Sequence, residues 1–396
     1  MTTTDGFFEK QTDKSRVKTL IVTDFLKAYF PIILQSVGKN VSEIIYLDFF
    51  CGPGQFEDGV PSTPIALLNY IGNSKNDDIR NKLHIVFNDE KAEYIEALIK
   101  TVEVHPVIPT LKFKPEIMNR RAGEIDINQY TCKKCPIFSF IDPWGYKDIS
   151  TEQTWELIKN IGSDCVLFFN SNRFLMDFSK EASSVHYSKI FGEQLPEIRS
   201  VVENNQLSQK KKTQLIVELF SKNMYKRMEK EVYSKYRMFV LPFVFEADDK
   251  EKVSHHIVFI TKSHKAVIEM KKVMLKHCNL CGTQLGFDSK DQFQISLTHR
   301  SDYITDDIIK LVKEYCRENS SFCEKSWTVS SLLETLDSYN MKLKYQVTPY
   351  SVEEIKNAIK HLDRDNQIEL IVHPNQKIRD RITDDREFKI RKNLWG

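Results

Sequence analysis

The chain of 396 residues has no apolar run of membrane-spanning length, and its first residues, Met1-Thr-Thr-Thr-Asp-Gly, include no basic segment leading into an apolar core. Neither a spanning helix nor a secretory leader is expected, and the sequence reads as a soluble, cytoplasmic protein with no membrane partner. Net charge is also nearly absent. Lys and Arg number 57 against 55 Asp and Glu, a balance of +2, so no global field demands a polyanion and any basic face must be local. Eight cysteines over this length are too few for a disulfide framework and fit reduced thiols. Two nucleotide signatures are missing as well: Gly-x-x-x-x-Gly-Lys-Ser/Thr and the full Gly-x-Gly-x-x-Gly. Their absence removes the usual loops that present backbone N–H groups to phosphates.

What is present centres on Glu43 to Gly59, Glu-Ile-Ile-Tyr-Leu-Asp-Phe-Phe-Cys-Gly-Pro-Gly-Gln-Phe-Glu-Asp-Gly. Ile44 to Phe49 has strand length and apolarity, Asp48 stands near its end, and Gly52-Pro53-Gly54 breaks the regular backbone. Ser62 or Thr63 can cap a following helix with Pro64 in its first turn, its apolar residues being Ile65, Leu67, Leu68 and Ile71. Strand, glycine turn and helix in this order form the place where parallel α/β sheets hold nucleotide-type cofactors. An acid before such a turn, without a phosphate loop, suits a ligand with amine and hydroxyl groups, of which S-adenosylmethionine is one. An ordinary turn is the bland alternative.

A helix over Lys14 to Val37 precedes this stretch, with Val17, Leu20, Ile21, Phe25, Leu26, Tyr29 and Phe30 at helical spacing up to Pro31. His84 to Asn88 is predicted as a second strand, ending in Asn88, Asp89 and Glu90. An acid at that strand end can bind ribose hydroxyls, or the three residues can simply cap the helix from Lys91 to about Val104. A third strand is expected near Thr110 to Phe113.

Ile137 to Ile141, the fourth strand, delivers Asp142-Pro143-Trp144-Gly145-Tyr146. An acid and a stiffened turn beside two aromatics can hold a planar base and bond its exocyclic amine. Methyltransferases acting on adenine or cytosine amines use a related Asp/Asn-Pro-Pro-Tyr/Phe turn, from which this one departs by Trp144 and the inserted Gly145. A strand-end turn with a core aromatic is the alternative. The fifth strand, Cys165 to Asn170, leads into Asn170-Ser171-Asn172-Arg173, where Asn170 and Arg173 are candidate nucleic-acid contacts.

Ser179 to Tyr236 reads as a helical insertion carrying Lys210, Lys211 and Lys212, which fit phosphate contacts or a solvated face. Met238 to Phe245 and His256 to Ile260 return to strand patterning, one of them expected to be antiparallel, and a helix over Lys265 to Lys276 closes the sheet. His255-His256 precedes the last strand and is read as structural. From Ser301 on, helices over Asp306–Arg317, Val329–Leu336 and Ser351–Asp363 precede a hairpin, Ile368–Val372 with Glu387–Ile390. Three helices and a two-stranded wing describe a winged helix-turn-helix, for nucleic acid or for protein docking. Cys132-Lys-Lys-Cys135 and Cys278-Asn-Leu-Cys281 each have zinc-knuckle spacing, but their long separation favours free thiols over a shared zinc.

Taken together, Arg16-Val17-Lys18, Tyr46 to Gly54 with Glu57-Asp58-Gly59 and Ser62-Thr63-Pro64, Phe140 to Tyr146, Asn170 to Arg173, His256 to Thr261 and Met270-Lys271 resemble the three-Cys-motif partner protein family, bacterial proteins with a methyltransferase-like domain. Departures are Thr19 for the usual His, Cys51 for Ala, and Asn88 for an acid. The resemblance implies a class I, Rossmann-like S-adenosylmethionine-dependent fold. It also implies a separate partner with a three-cysteine motif that resembles a radical S-adenosylmethionine enzyme.

The expected architecture is α/β: a methyltransferase-like Rossmann domain over 1–290, with the helical insertion at about 179–236, and a winged-helix-like domain over 301–396. The leading function is methyl transfer to DNA or RNA, at a base nitrogen. Asp48, Phe50, Gly52, Pro53, Gly54, Asn88, Asp89 and Glu90 would hold S-adenosylmethionine, and Asp142, Pro143, Trp144 and Tyr146 the acceptor. Its rivals are a non-catalytic adaptor that presents nucleic acid to the partner, and a winged-helix regulator with no cofactor requirement.

Overall fold

Runs of fully buried apolar side chains make the middle of one sheet, and their parallel order follows from the helices that separate them. The computed structural model of the chain describes residues 10–36, 40–143, 145, 149–178, 184–231, 237–249, 252–280, 282–290, 297–319, 321–322, 325–371 and 382–391. In order come α1 (Asp13–Ser36), β1 (Ile44–Asp48), α2 (Thr63–Asn73), α3 (Asp77–Lys82), β2 (Leu83–Asp89), α4 (Ala92–Glu103), β3 (Glu116–Asn119), α5 (Asn128–Thr131) and β4 (Ile137–Ile141). Then follow α6 (Thr151–Ile158), β5 (Asp164–Phe169), α7 (Ser171–Asp177), α8 (Ser184–Phe191), α9 (Leu195–Glu203), α10 (Gln209–Glu229), β6 (Phe239–Glu246), β7 (Val253–Thr261), α11 (His264–Lys276) and β8 (Gly286–Phe287). The C-terminal part holds α12 (Leu297–Glu318), α13 (Val329–Lys344), α14 (Val352–Arg364), β9 (Ile368–Leu370) and β10 (Phe388–Ile390).

The main sheet has the order β3-β2-β1-β4-β5-β7-β6-β8. The ladders from β3 to β5 are parallel, and β7 is antiparallel to both of its neighbours. Strand order reverses between β1 and β4, so a crevice opens at their carboxyl ends. β1 and β4 are buried along their whole length, as expected for central strands covered on both faces.

Four expectations shift. The third strand is Glu116–Asn119 rather than Thr110–Phe113, because Ile108–Thr110 forms a 3-10 turn and Pro115 lies directly before the strand. β7 starts at Val253 rather than at His256, which places His255 inside the strand. A two-residue strand, β8, adds an edge beside β6. The helix expected to end at Leu336 runs on to Lys344.

The C-terminal helices carry a core of their own, including Ile308, Leu333, Ile355 and Leu362, and β9 and β10 form an antiparallel pair. They are joined to the sheet through buried charge. Lys271 of α11 donates to both Asp337 oxygens of α13, at 2.9 and 2.7 Å, while His264 and the Thr348 N–H and hydroxyl bond the same carboxylate. Met341 and Val347 belong to the main core, and the Val347 N–H donates to the Val240 carbonyl of β6.

Candidate functional site

At the reversal of strand order, main-chain geometry is set by acids. After β1, Gly52 and Gly54 take φ of +65° and +83°, the left-handed region that glycine adopts without cost. The Phe50 N–H donates to Asp48 Oδ1 at 3.2 Å, the Cys51 N–H to the Asn88 carbonyl at 2.9 Å, and the Gly52 N–H to Asp89 Oδ2 at 3.0 Å. Three successive amides that could have faced an anion are thus already engaged, two of them by carboxylates. This turn is built against phosphate.

A cavity of about 250 Å³ lies at this end of the sheet. Phe50, Gly52 and Asp89 line one side, Asp142 and Pro143 come from the end of β4, and Phe168 and Asn170 from the end of β5. The roof is the first turn and a half of α1, with Lys14, Ser15 and Lys18, and β7 adds Ser254 and His255. Two loops 90 residues apart in the chain therefore share one cavity wall.

The carboxylates are not alike. Asp48 is fully buried beneath the turn, bonded to Phe50 and at 3.4 Å to the Tyr46 hydroxyl, and does not line the cavity. Burial, and then the charges of Asp142 and Asp89, push its pKa well above the ordinary carboxylate range. Asp89 does line the cavity. Its second oxygen accepts the Lys91 N–H at 3.0 Å, closing the turn that leads into α4, and burial raises its pKa. Each of its oxygens retains a lone pair for a ligand donor. Asp142 is held by the Lys18 ammonium, which also sits 4.7 Å from the Phe168 ring centroid.

The other predicted positions fall elsewhere. Asn88 is fully buried, with its amide donating to the Phe49 and Arg120 carbonyls at 3.0 and 2.9 Å and its oxygen accepting the Arg120 N–H; it staples β2 to the neighbouring loops. Glu90 is exposed. Gly54 packs inward, where an added Cβ would meet Leu98 at 2.6 Å and Ile65 at 3.2 Å. Neither Pro53 nor Gly54 lines the cavity. Trp144 and Tyr146 lie outside the described residues.

Asn170 is both a cavity residue and the cap of α7, accepting the Arg173 N–H at 3.0 Å, and Arg173 lies 3.8 Å from Asp177. Lys210 pairs with Glu246, Lys211 reaches Gln214 at 3.3 Å, and Lys212 donates to the Val202 carbonyl at 2.7 Å. Gln209 bonds both the N–H and carbonyl of Val253, which brings this lysine-bearing helix start to the same end of the sheet as the cavity.

Cys132 and Cys135 do not meet Cys278. Cys132 and Cys135 precede β4 at the amino end of the sheet. Cys278 accepts the Gly286 N–H of β8 at the opposite, carboxyl end of the sheet, four strand positions from β4, about 19 Å at the usual interstrand spacing. Cys281 lies outside the described residues, among which no three His, Cys, Asp or Glu side chains cluster as metal ligands.

Sequence reasoning overlooked the cavity's roof. Lys14 and Lys18 reach it only through the packing of α1 over the sheet, whereas His255 could have been found by running the strand alternation back to Val253.

No family model matches the chain, and no curated protein does. Among solved structures it is similar to the methyltransferase domain of bacterial-CtHen1-C, at 11% identity over 63% of this chain and 97% of that one, TM-score 0.30. It is similar as well to a rRNA methylase from Streptococcus thermophilus (10% identity, 61% and 94% covered, TM-score 0.27). A third is magnesium protoporphyrin IX methyltransferase from Synechocystis with bound SAM (10%, 65% and 89%, TM-score 0.26).

Proposed function

We propose that the chain is an S-adenosylmethionine-dependent methyltransferase acting on nucleic acid, at a base nitrogen, together with a three-cysteine-motif partner. The observation that carries this reading is the turn after β1. Its amides at Phe50, Cys51 and Gly52 are spent on Asp48, Asn88 and Asp89, and the cavity above it is lined by Asp89 and Asp142. A phosphate would find none of these amides free, while Asp89 offers acceptors to the amine and hydroxyl groups of a sulfonium amino acid joined to a nucleoside. A strand order of 3-2-1-4-5 with an antiparallel seventh strand beside the fifth supports it too, as Rossmann-like methyltransferases share that arrangement.

In this reading Phe50, the Gly52 backbone and Asp89 would hold the cofactor, with Asp48 fixing the turn from below. Bound there, S-adenosylmethionine supplies a methyl group already activated on sulfur, so the chain's task is alignment. Asp142 and Pro143 would border the acceptor and Asn170 the far wall. Lys210, Lys211 and Lys212 flank the same end of the sheet, where a backbone phosphate of the substrate would pass.

One observation favours the adaptor instead. Lys18 occupies Asp142, the acid assigned to the acceptor amine, and Lys210 and Lys212 are engaged within the chain. We read the C-terminal helices and β9–β10 as a winged-helix module for protein docking, because Lys356 and Lys360 of α14 lie by Glu353 and Asp384 rather than forming a basic face.

Calorimetry of the full chain with S-adenosylmethionine and S-adenosylhomocysteine tests the first step. Saturable heat that Asp89→Ala weakens at least tenfold is expected, and no heat with either compound overturns the proposal. Transfer of labelled methyl to DNA, tRNA or rRNA, with and without the partner, then separates enzyme from adaptor, since binding with no transfer under either condition selects the adaptor.

A further inference from the structure

His255 differs from the other residues of the cavity wall. Its ring is fixed in a stack, with the Phe168 centroid 4.3 Å away on one side and that of Phe245 4.4 Å away at an interplanar angle of 25°. Nδ1 lies 2.8 Å from Ser254 Oγ. The residue is only 8% exposed, and its Nε2 has no hydrogen-bond partner. Among the described residues lining this cavity, no other has an orphaned buried side-chain nitrogen or oxygen. Buried polar atoms are almost always paired, so this one points to a ligand group that completes it.

The surrounding charges decide what kind of group. Lys14 and Lys18 approach from α1, Asp142 is tied to Lys18, and His256 follows on β7 with its Nδ1 at 3.1 Å from Ser171 Oγ. Burial, then the positive charges of Lys18 and Lys14, holds the His255 pKa well below the usual imidazole range, while burial lowers that of His256 to about 3, so its ring is uncharged. The His255 ring is therefore neutral, and in the tautomer whose Nδ1–H donates to Ser254, Nε2 keeps its lone pair.

We propose that His255 Nε2 contacts the acceptor, accepting a hydrogen bond from an aromatic amine N–H and taking that proton once the nitrogen has been methylated. The proposal rests on the methyltransferase reading and names the acceptor class within it. The acceptor nitrogen's lone pair forms the new N–C bond, and the donor's C–S bond breaks with its electron pair left on sulfur. The surplus proton on the cationic product passes to Nε2, from which solvent removes it. A protonated, methylated aromatic amine is acidic enough to give its proton to a weak base, so a depressed imidazole suffices. A hydroxyl acceptor needs its proton removed during attack, for which this imidazole is poorly matched.

The test uses the full chain with 15N-labelled histidine rings, saturated with S-adenosylhomocysteine, with the His255 signals assigned by their loss in His255→Gln. The unliganded ring should show an unprotonated Nε2. Adding adenosine or cytidine, which have an exocyclic amine, should shift that signal, and uridine should not. A protonated Nε2, an equal response to uridine, or no response to any of the three nucleosides overturns the inference. Calorimetry on the same sample separates the two failures: heat with S-adenosylhomocysteine and an unresponsive His255 removes this inference alone, whereas no heat removes the methyltransferase reading with it.

Discussion

Gly54→Ala and Gly59→Ala form a matched pair that decides what the second glycine of the turn is for. Their φ angles are nearly the same, +83° and +81°, so the penalty of placing a Cβ in the left-handed region is shared. That penalty is about 1–2 kcal/mol, offset by about 0.4–1 kcal/mol from the stiffer unfolded chain, leaving about 1 kcal/mol net. The surroundings differ. A Cβ at Gly59 meets nothing within 4 Å, while at Gly54 it comes within 2.6 Å of Leu98 Cδ1 and 3.2 Å of Ile65 Cγ1. Both of those side chains are fixed between α2, α4 and the sheet, at 0% and 2% exposure, so neither can swing into solvent. Overpacking of this kind costs about 1–3 kcal/mol, which puts Gly54→Ala at about 2–4 kcal/mol and Gly59→Ala near 1 kcal/mol. Urea unfolding with linear extrapolation measures both, and the m-values should match that of the parent chain. Because Gly54 does not line the cavity, the folded Gly54→Ala variant should bind S-adenosylhomocysteine with parent affinity. Equal destabilisation of the two variants, or a Gly54→Ala chain that is stable but has lost the ligand, would refute the packing argument.

Four further outcomes follow from charged groups in and under the sheet. Burial lifts the Asp164 pKa from 3.8 to about 7, so the folded chain holds a proton there that the unfolded chain releases, and stability falls as pH rises from about 4 to 7. The loss is at most about 4 kcal/mol, and Asp164→Asn should flatten that limb in urea titrations at several pH values; an unchanged slope would count against the shift. Lys262 works in the other direction, its pKa lowered to about 8 by burial, so stability should recover between pH 8 and 10. At the joint between sheet and C-terminal helices, burial disfavours ionised Asp337, but Lys271 and His264 outweigh it and lower its pKa. Asp337→Asn should cost about 3–5 kcal/mol by leaving Lys271 underpaired, and should lower the unfolding midpoint of the sheet as well as of the helices. Helices that melt early over an unaffected sheet would show that the joint is not shared. Finally, Lys18→Met keeps the stem over Phe168 and frees Asp142, so adenosine or cytidine should bind at least tenfold more tightly, the worth of one charge-assisted hydrogen bond, while Asp142→Asn should weaken them. Movement of both variants in the same direction would show that Asp142 does not meet the acceptor.

The sheet was legible wherever a strand is covered on both faces. Ile44–Leu47 and Ile85–Phe87 are uninterrupted apolar runs and Ile137–Ile141 is broken only by the buried Ser139, because every side chain is buried, and a run of strand length between turn residues has few other readings. β3 lacked that signal, since no residue of Glu116–Asn119 is fully buried at its edge position. β8 was out of reach altogether, two residues being too short to carry a pattern. The second half of α13 was hidden for a different reason. After Leu336 the sequence turns polar with Asp337, Ser338 and Asn340, which looks like a helix end, yet Asp337 is buried against Lys271 and Asn340 donates to the Gln346 carbonyl. A pattern based on apolar spacing misses a helix face whose burial is paid by paired polar groups.

The candidate site shows the same division. Loops that leave the carboxyl ends of β1 and β4 must meet at the reversal of strand order, so their convergence follows from topology and could be inferred from strand order alone. Which side chains face the cavity depends on hydrogen bonds that local sequence does not specify. Asn88, Asp89 and Glu90 are consecutive polar residues at one strand end, and the structure assigns them three different tasks: a staple to Arg120, a cavity carboxylate that also closes the turn before α4, and a solvent-exposed acid. The glycines divide likewise, Gly52 lining the cavity and Gly54 yielding room to Leu98. Spacing therefore located the pocket, while the choice among neighbours was made by which main-chain amide each side chain had to satisfy.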